Sequence, residues 1–113
     1  MTIDQQRLGD TLVISPVGRF DSTTSDALDA HVKPISSSGA PTLVVDFSRV
    51  DYISSAGLRV MLTLAKRIRE RQGKLALCGM NDGVRQVFEL AGFLPLFAIE
   101  SSRDEALQAL AVR

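Results

Sequence analysis

Apolar positions along this chain fall in short blocks whose spacing switches between two residues and three to four. Leu12 and Ile14 alternate within "TLVISPVGRF", and Gly9-Asp10 before them reads as a turn, so residues 2 to 8 are expected to form the first strand of a hairpin. Pro16 removes a ladder donor, which predicts an edge or a bulge in strand two. In "DSTTSDALDAHVKP", Thr23 and Asp26 have capping-box-like spacing, Leu28 and Val32 share one helical face, and Pro34 is expected to end that helix before a flexible "SSSGAP" loop. "TLVVDF" (42 to 47) is a continuous β-branched run, as a central strand covered on both sides requires.

A longer helical pattern follows. Leu58, Met61, Leu62, Ala65 and Ile68 recur at helical spacing over residues 57 to 72, Lys66, Arg67, Arg69 and Arg71 complement the C-terminal dipole, and Gly73 closes the helix. "KLALCG" (74 to 79) reads as another buried strand. Asn81 or Asp82 is placed to cap a helix carrying Val84, Val87, Phe88 and Ala91, which Gly92 ends. "LFAIE" is a last short strand, and Ser102 with Glu105 forms a capping box for a helix using Leu107 and Leu110. The order is ββαβαβαβα. It predicts an α/β fold: one domain over residues 1–113, with a mainly parallel mixed sheet of four to five strands packed with four helices.

Composition narrows the function classes. The chain has 113 residues, enough for one domain to bury a core without staples. Thirteen Lys and Arg balance 13 Asp and Glu, so no net field favours nucleic acid or an anionic membrane. One cysteine, Cys78, allows no internal disulfide and no cysteine-rich zinc site, and on a buried strand it reads as a small core hydrophobe. With no charged-then-apolar leader and no apolar run near the ~18 residues of a membrane span, a soluble cytoplasmic domain is expected.

The candidate chemistry centres on "VDYISSAGLRV", where a strand-like run breaks into two serines, a small residue and a glycine before a helix. Pattern alone favours capping for Ser54 and Ser55, since a serine oxygen accepts an early helix N–H, while modification of one of them stays open. Gly57 reads first as close backbone packing at the turn. A nucleophilic serine needs a base. The one histidine, His31, lies within a distant amphipathic helix, and the GxSxG spacing of a nucleophile elbow is missing. Neither GxxxxGK[ST] nor GxGxxG occurs, and the scattered acids Asp10, Asp21, Asp46 and Asp51 lack metal-ligand spacing. No catalytic residue, metal or cofactor is expected, which leaves a small enzyme or nucleotide-binding domain with no motif behind it.

"VVDFSRVDYISSAGLRVMLTLAKRIRERQGKLALCGMNDGVRQVFELAGF" resembles the STAS-domain family, specifically its stand-alone anti-sigma factor antagonists. The likeness lies in the strand ending Asp46-Phe47-Ser48, then aromatic-Ile-Ser-Ser-Ala-Gly-Leu at 52–58, then helix, strand and short helix ending near Ala91-Gly92. "GRFDSTTSDAL" is similar to the family's Gly-Glu-Leu-Asp followed by Thr and a helix, so the likeness covers nearly the whole chain. The resemblance implies a binding module controlled by phosphorylation. Its unmodified form would bind an anti-sigma factor that is also an ATPase-fold serine kinase, freeing the sigma factor. The kinase would phosphorylate the module, and a serine phosphatase would reset it. Matched residue by residue, the modified serine falls on Ser55, and the partner-binding set is Asp21, Ser54, Ser55, Ala56, Gly57 and Leu58. Ser54 stands where the family often has Asp, and Ala56 where it often has Ser, so a carboxylate beside the modification site is gone. The implied protein is a monomer or weak dimer that engages neither nucleic acid nor the membrane interior. The resemblance leaves a second reading open: a non-switching STAS subunit of a transporter ATPase or signalling assembly, with Ser55 only a cap.

Overall fold

The computed structural model describes residues 2–36, 39 and 41–111. In chain order these form β1 (Thr2–Leu8), β2 (Thr11–Phe20), α1 (Ser25–Ser36), β3 (Thr42–Asp46), β4 (Val50–Ile53), α2 (Ser55–Glu70), β5 (Lys74–Cys78), α3 (Asp82–Leu90), a 3-10 turn (Leu94–Leu96), β6 (Ala98–Glu100) and α4 (Arg103–Ala111). The sheet runs β1-β2-β3-β5-β6, antiparallel between β1 and β2 and parallel elsewhere. The expected α/β architecture is there, with four helices.

Among the described residues the sheet has six strands, more than the pattern predicts, because Val50–Ile53 forms a separate four-residue strand that exists by pairing with the end of β2. β3 pairs with β2 over Leu12–Ile14, and β4 pairs with β2 over Gly18–Phe20. The chain thus follows one side of β2 twice, with a tight turn at Phe47–Arg49 between, where Val50 N–H donates to Phe47 O (2.9 Å). Pro16 sits between these two partners. Gly18 N–H donates to Arg49 O, and a strand position two residues back faces the same side, so the donor that Pro16 lacks falls where β2 changes partner. A register shift follows between Gly18 and Arg19, so the expected irregularity is real although β2 is no edge strand.

Alternation along the strands divides the core between two faces. Leu12, Ile14, Leu43, Val45 and Leu77 pack with α1, α2 and α3 through Leu28, Val32, Met61, Leu64, Ile68, Val84 and Phe88. Full burial of each such side chain is worth about 1.5–3 kcal/mol. Phe88 stands edge-on to both Phe47 (5.9 Å) and Phe97 (5.6 Å), fixing α3 to the end of β3. On the opposite face Val13, Val44, Ala76 and Cys78 meet Ala106 and Leu110 of α4. Cys78 is fully buried, and burial, with Asp46 beside it, pushes its thiol up to about 12, as suits the core role expected for it.

Arg103 ties α4 to the sheet. Its guanidinium donates to Asp46 Oδ2 (3.1 Å), Ser15 Oγ (3.2 Å) and Gln6 Oε1 (3.0 Å), reaching three adjacent strands. Asp46 is only 7% exposed. Burial alone would raise its pKa, but hydrogen bonds from Ser48 and the Arg103 ion pair outweigh it and hold the carboxyl below its usual value.

Local signals at helix ends were mixed. Asn81 caps α3 through Val84 N–H (2.7 Å), and Ser102 Oγ accepts from Glu105 N–H (3.2 Å), as expected. α1 continues through Pro34 to Ser36, with Ile35 packed against the core, so side-chain burial carries the last turn past the proline. The expected Thr23–Asp26 box does not form; the Thr23 hydroxyl donates to Asp21 instead. Three residues of the "SSSGAP" loop (37, 38 and 40) lie outside the described residues. α2 ends in a Schellman motif, with Gly73 N–H on Ile68 O (2.9 Å) and Gln72 N–H on Arg69 O (3.0 Å). Gln72 occupies the left-handed position (φ 58), while Gly73 is needed because a Cβ there would lie 2.3 Å from Pro41 O.

Gln72→Gly is expected to raise stability by about 0.5–1 kcal/mol, and Gly73→Ala to lower it by about 1–3 kcal/mol or more, both read from urea midpoints. Asp46→Asn should cost about 1–3 kcal/mol at neutral pH by leaving Arg103 without its carboxylate. Because the folded pKa of Asp46 is depressed, its contribution is complete above the unfolded value and fades as pH falls through the folded one. Denaturation curves of the two proteins should therefore converge in acid; a gap independent of pH would contradict the assignment.

Candidate functional site

The serine stretch forms a corner where β4 turns into α2. The parallel pair β2–β4 ends in the register Phe20↔Ile53, so residues 21 and 54 leave the sheet side by side. Ser54 N–H donates to Phe20 O (2.9 Å), fixing the start of the turn. Gly57 presses on the same strand end: a Cβ there would lie 2.8 Å from both Phe20 O and Ile53 Cγ1. The close-packing role expected for Gly57 is therefore what the fold uses.

The two serines are not equivalent. Ser54 is the N-cap of α2; its Oγ accepts from Gly57 N–H (3.3 Å), and its carbonyl from Leu58 N–H (2.9 Å). Ser55 is the first helical residue, with its side chain exposed. Among the described residues, the amides of Ser55 and Ala56 meet no acceptor, as expected of the first turn of a helix.

Asp21 is held beside this turn. Its carboxylate accepts from Thr23 Oγ1 (2.6 Å), Thr23 N–H (3.0 Å) and Arg19 Nε (3.4 Å). The Thr23 hydroxyl, then the Thr23 amide, with smaller help from Arg19 and Thr24, hold its pKa below the usual value against a small desolvation effect. Its amide donates to Thr24 Oγ1 (2.9 Å), whose hydroxyl donates to Arg19 O (2.7 Å). The loop is a closed set of hydrogen bonds around an ionised carboxylate.

Of the six residues expected to meet a partner, Asp21, Ser54, Ser55 and Ala56 reach the surface. Gly57 and Leu58 do not: Leu58 is 5% exposed and points into the core, so these two position the corner from beneath. Sequence reasoning passed over Arg19 and used Tyr52 only as the motif's aromatic. The structure pairs them, with the Arg19 guanidinium 4.3 Å from the centroid of the 41%-exposed Tyr52 ring. That pairing needs the β2–β4 register, which the hydrophobic pattern did not reveal.

Asp21, Ser54, Ser55 and Ala56 line none of three clefts formed among the described residues. These clefts, of about 330, 430 and 450 Å³, open elsewhere: at the C-terminal end of α2, between β1 and the end of α1, and beside the start of α3. His31 is a surface residue bonded to Gln5 Oε1 (2.8 Å). Among the described residues no group of three or more His, Cys, Asp and Glu is arranged to hold a metal, and no helix is long and apolar enough to cross a membrane.

A STAS domain family model matches residues 2–106. BtrV of Bordetella bronchiseptica, a candidate anti-sigma factor antagonist, is 38% identical over 109 residues, covering 96% of this chain and 94% of that protein. An anti-sigma factor antagonist from Mycobacterium paratuberculosis has the same fold, with a TM-score of 0.89 at 24% identity over 97% of this chain and 93% of that one. The anti-sigma factor antagonist SpoIIAA in its unphosphorylated form aligns with a TM-score of 0.83 at 21% identity, covering 99% and 98%. The phosphorylated form of SpoIIAA, a Bacillus cell fate determinant, aligns with a TM-score of 0.74 at 22% identity, covering 99% and 100%. With the family model spanning nearly its whole length, this chain belongs to the STAS domain family.

Proposed function

We propose that this protein is a cytoplasmic anti-sigma factor antagonist switched at Ser55. The unmodified form binds an anti-sigma factor that is also an ATPase-fold serine kinase, and so frees the sigma factor. The kinase transfers the γ-phosphoryl group of ATP to Ser55 Oγ; ADP leaves, and the hydroxyl proton passes to a base of the kinase. A serine phosphatase restores the hydroxyl. The protein is a binding module and catalyses no reaction itself.

The observation that carries this reading is the exposed Ser55 hydroxyl on a turn whose neighbours are locked into the core. Gly57 and Leu58 are buried and Ser54 is spent as the cap, so Ser55 is offered to a second protein without disturbing the fold. The likeness to BtrV supports the antagonist role, and the shared fold with SpoIIAA, known in both phosphorylation states, agrees with modification of this fold.

Physics separates tolerance of the phosphate from its effect on binding. Free amides and the positive dipole end of α2 face the new charge, so the domain keeps its structure. A partner packed on the same point would bury about −1.5 to −2 charges with their hydration. A loss of about 3 kcal/mol exceeds a hundredfold in the binding constant. The modification disrupts an interface and leaves the fold alone.

The partner is to be captured with unmodified protein and identified as a small ATPase-fold kinase. Ser55→Asp should then lose at least a hundredfold in affinity by calorimetry with an unchanged circular dichroism spectrum, while Ser55→Ala binds and accepts no phosphate. Tight binding by Ser55→Asp would sink the switch. Recovery of a transporter ATPase, with no phosphate on Ser55 by mass spectrometry, would favour the non-switching subunit.

A further inference from the structure

We propose that Arg59 is a phosphate clamp: once Ser55 carries a phosphate, the Arg59 guanidinium folds back one helical turn and pairs with it. The inference rests on the reading of Ser55 as the modified residue and adds what receives the new charge.

Ser55 and Arg59 lie at positions i and i+4 of α2, so their side chains occupy one stripe of the helix surface. The core side of α2 is fixed by Gly57, Leu58, Met61, Leu64 and Ile68, which turns the Ser55–Arg59 stripe toward solvent. Both side chains are exposed. An anion N-terminal to a cation at this spacing is the better of the two orders on a helix. Arg59 has the reach of a long side chain, and its guanidinium fork matches phosphate oxygens two at a time.

The surrounding charges single out Arg59. Asp21, beside the turn, is committed to Thr23 and Arg19 and would repel a phosphate. Arg19 is bonded to Asp21 through Nε and stacked on Tyr52. Further along α2, Arg67 is paired with Asp29 of α1 (3.1 Å). Arg59 forms no ion pair among the described residues; only its carbonyl is engaged, accepting from Thr63 Oγ1 (3.0 Å). It is an uncommitted cation one turn from the hydroxyl.

The clamp changes the surface at two places. Phosphorylation adds a dianion at position 55 and at the same time withdraws the free cation at position 59. A partner fitted to the unmodified corner therefore meets a reversal of charge along the stripe as well as added bulk.

Phosphoserine installed at position 55 by genetic encoding removes any dependence on the kinase, and the phosphate itself is the probe. A ³¹P NMR pH titration should give a second phosphate pKa about 0.3–0.7 unit lower in the parent protein than in Arg59→Ala. Arg59→Lys should recover part of the difference, and 1 M salt should erase most of it. Arg19→Ala is the control for the other nearby cation. Unmodified Arg59→Ala should match the parent in thermal midpoint, since a merely structural role for Arg59 would lower it. Identical titrations of the parent and Arg59→Ala, or a shift caused by Arg19→Ala alone, would overturn the clamp. A phosphorylated protein that shows the shift yet still binds the anti-sigma factor would refute the switch and leave the clamp standing.

Discussion

Much of this fold's active geometry is organised around one carbonyl, that of Phe20. It ends β2, accepts the Ser54 amide and lies against the α-carbon of Gly57. Those contacts bring the first turn of α2 onto the end of the strand, and so set the Ser54–Ser55 turn beside the Asp21 loop. A side chain at position 57 would push α2 away and separate the two halves of the corner. Glycine is there for space; its backbone angle is not among the left-handed ones.

The same helix start serves a cap and a modification because both draw on unsatisfied amides. Ser54 consumes one of those donors, and its neighbour is left facing solvent. With a serine at position 54, Asp21 supplies the carboxylate beside this turn, and hydrogen bonds from its own loop keep it ionised. The corner is thus polar, with a stacked Arg19–Tyr52 pair at its border.

The helix patterns were legible because amphipathic spacing and caps act within a few residues. Asn81 as a cap and Ser102 as acceptor of the Glu105 amide appeared where local chemistry placed them. The α2 stripe did so in part: Leu58, Met61 and Ile68 are buried, but Leu64 takes the core position expected of Leu62 and Ala65, which are only half-buried. The failures have a common cause. β4 is four residues long and exists through pairing with the far end of β2, which no local window contains. Pro34 did not stop α1 because Ile35 had a place in the core, and Thr23 did not cap it because Asp21 took its hydroxyl.

The amino-acid sequence by itself determined the alternation of strands and helices, the assignment of Cys78 to the core, and a serine pair at a strand-to-helix junction, since each is written in neighbouring residues. Only the tertiary structure decided which serine caps and which is presented, that Gly57 and Leu58 lie beneath the surface, and that Arg19, Asp21 and Tyr52 surround the turn. Those outcomes depend on the register between β2 and β4, segments some thirty residues apart that meet only when the sheet closes between them.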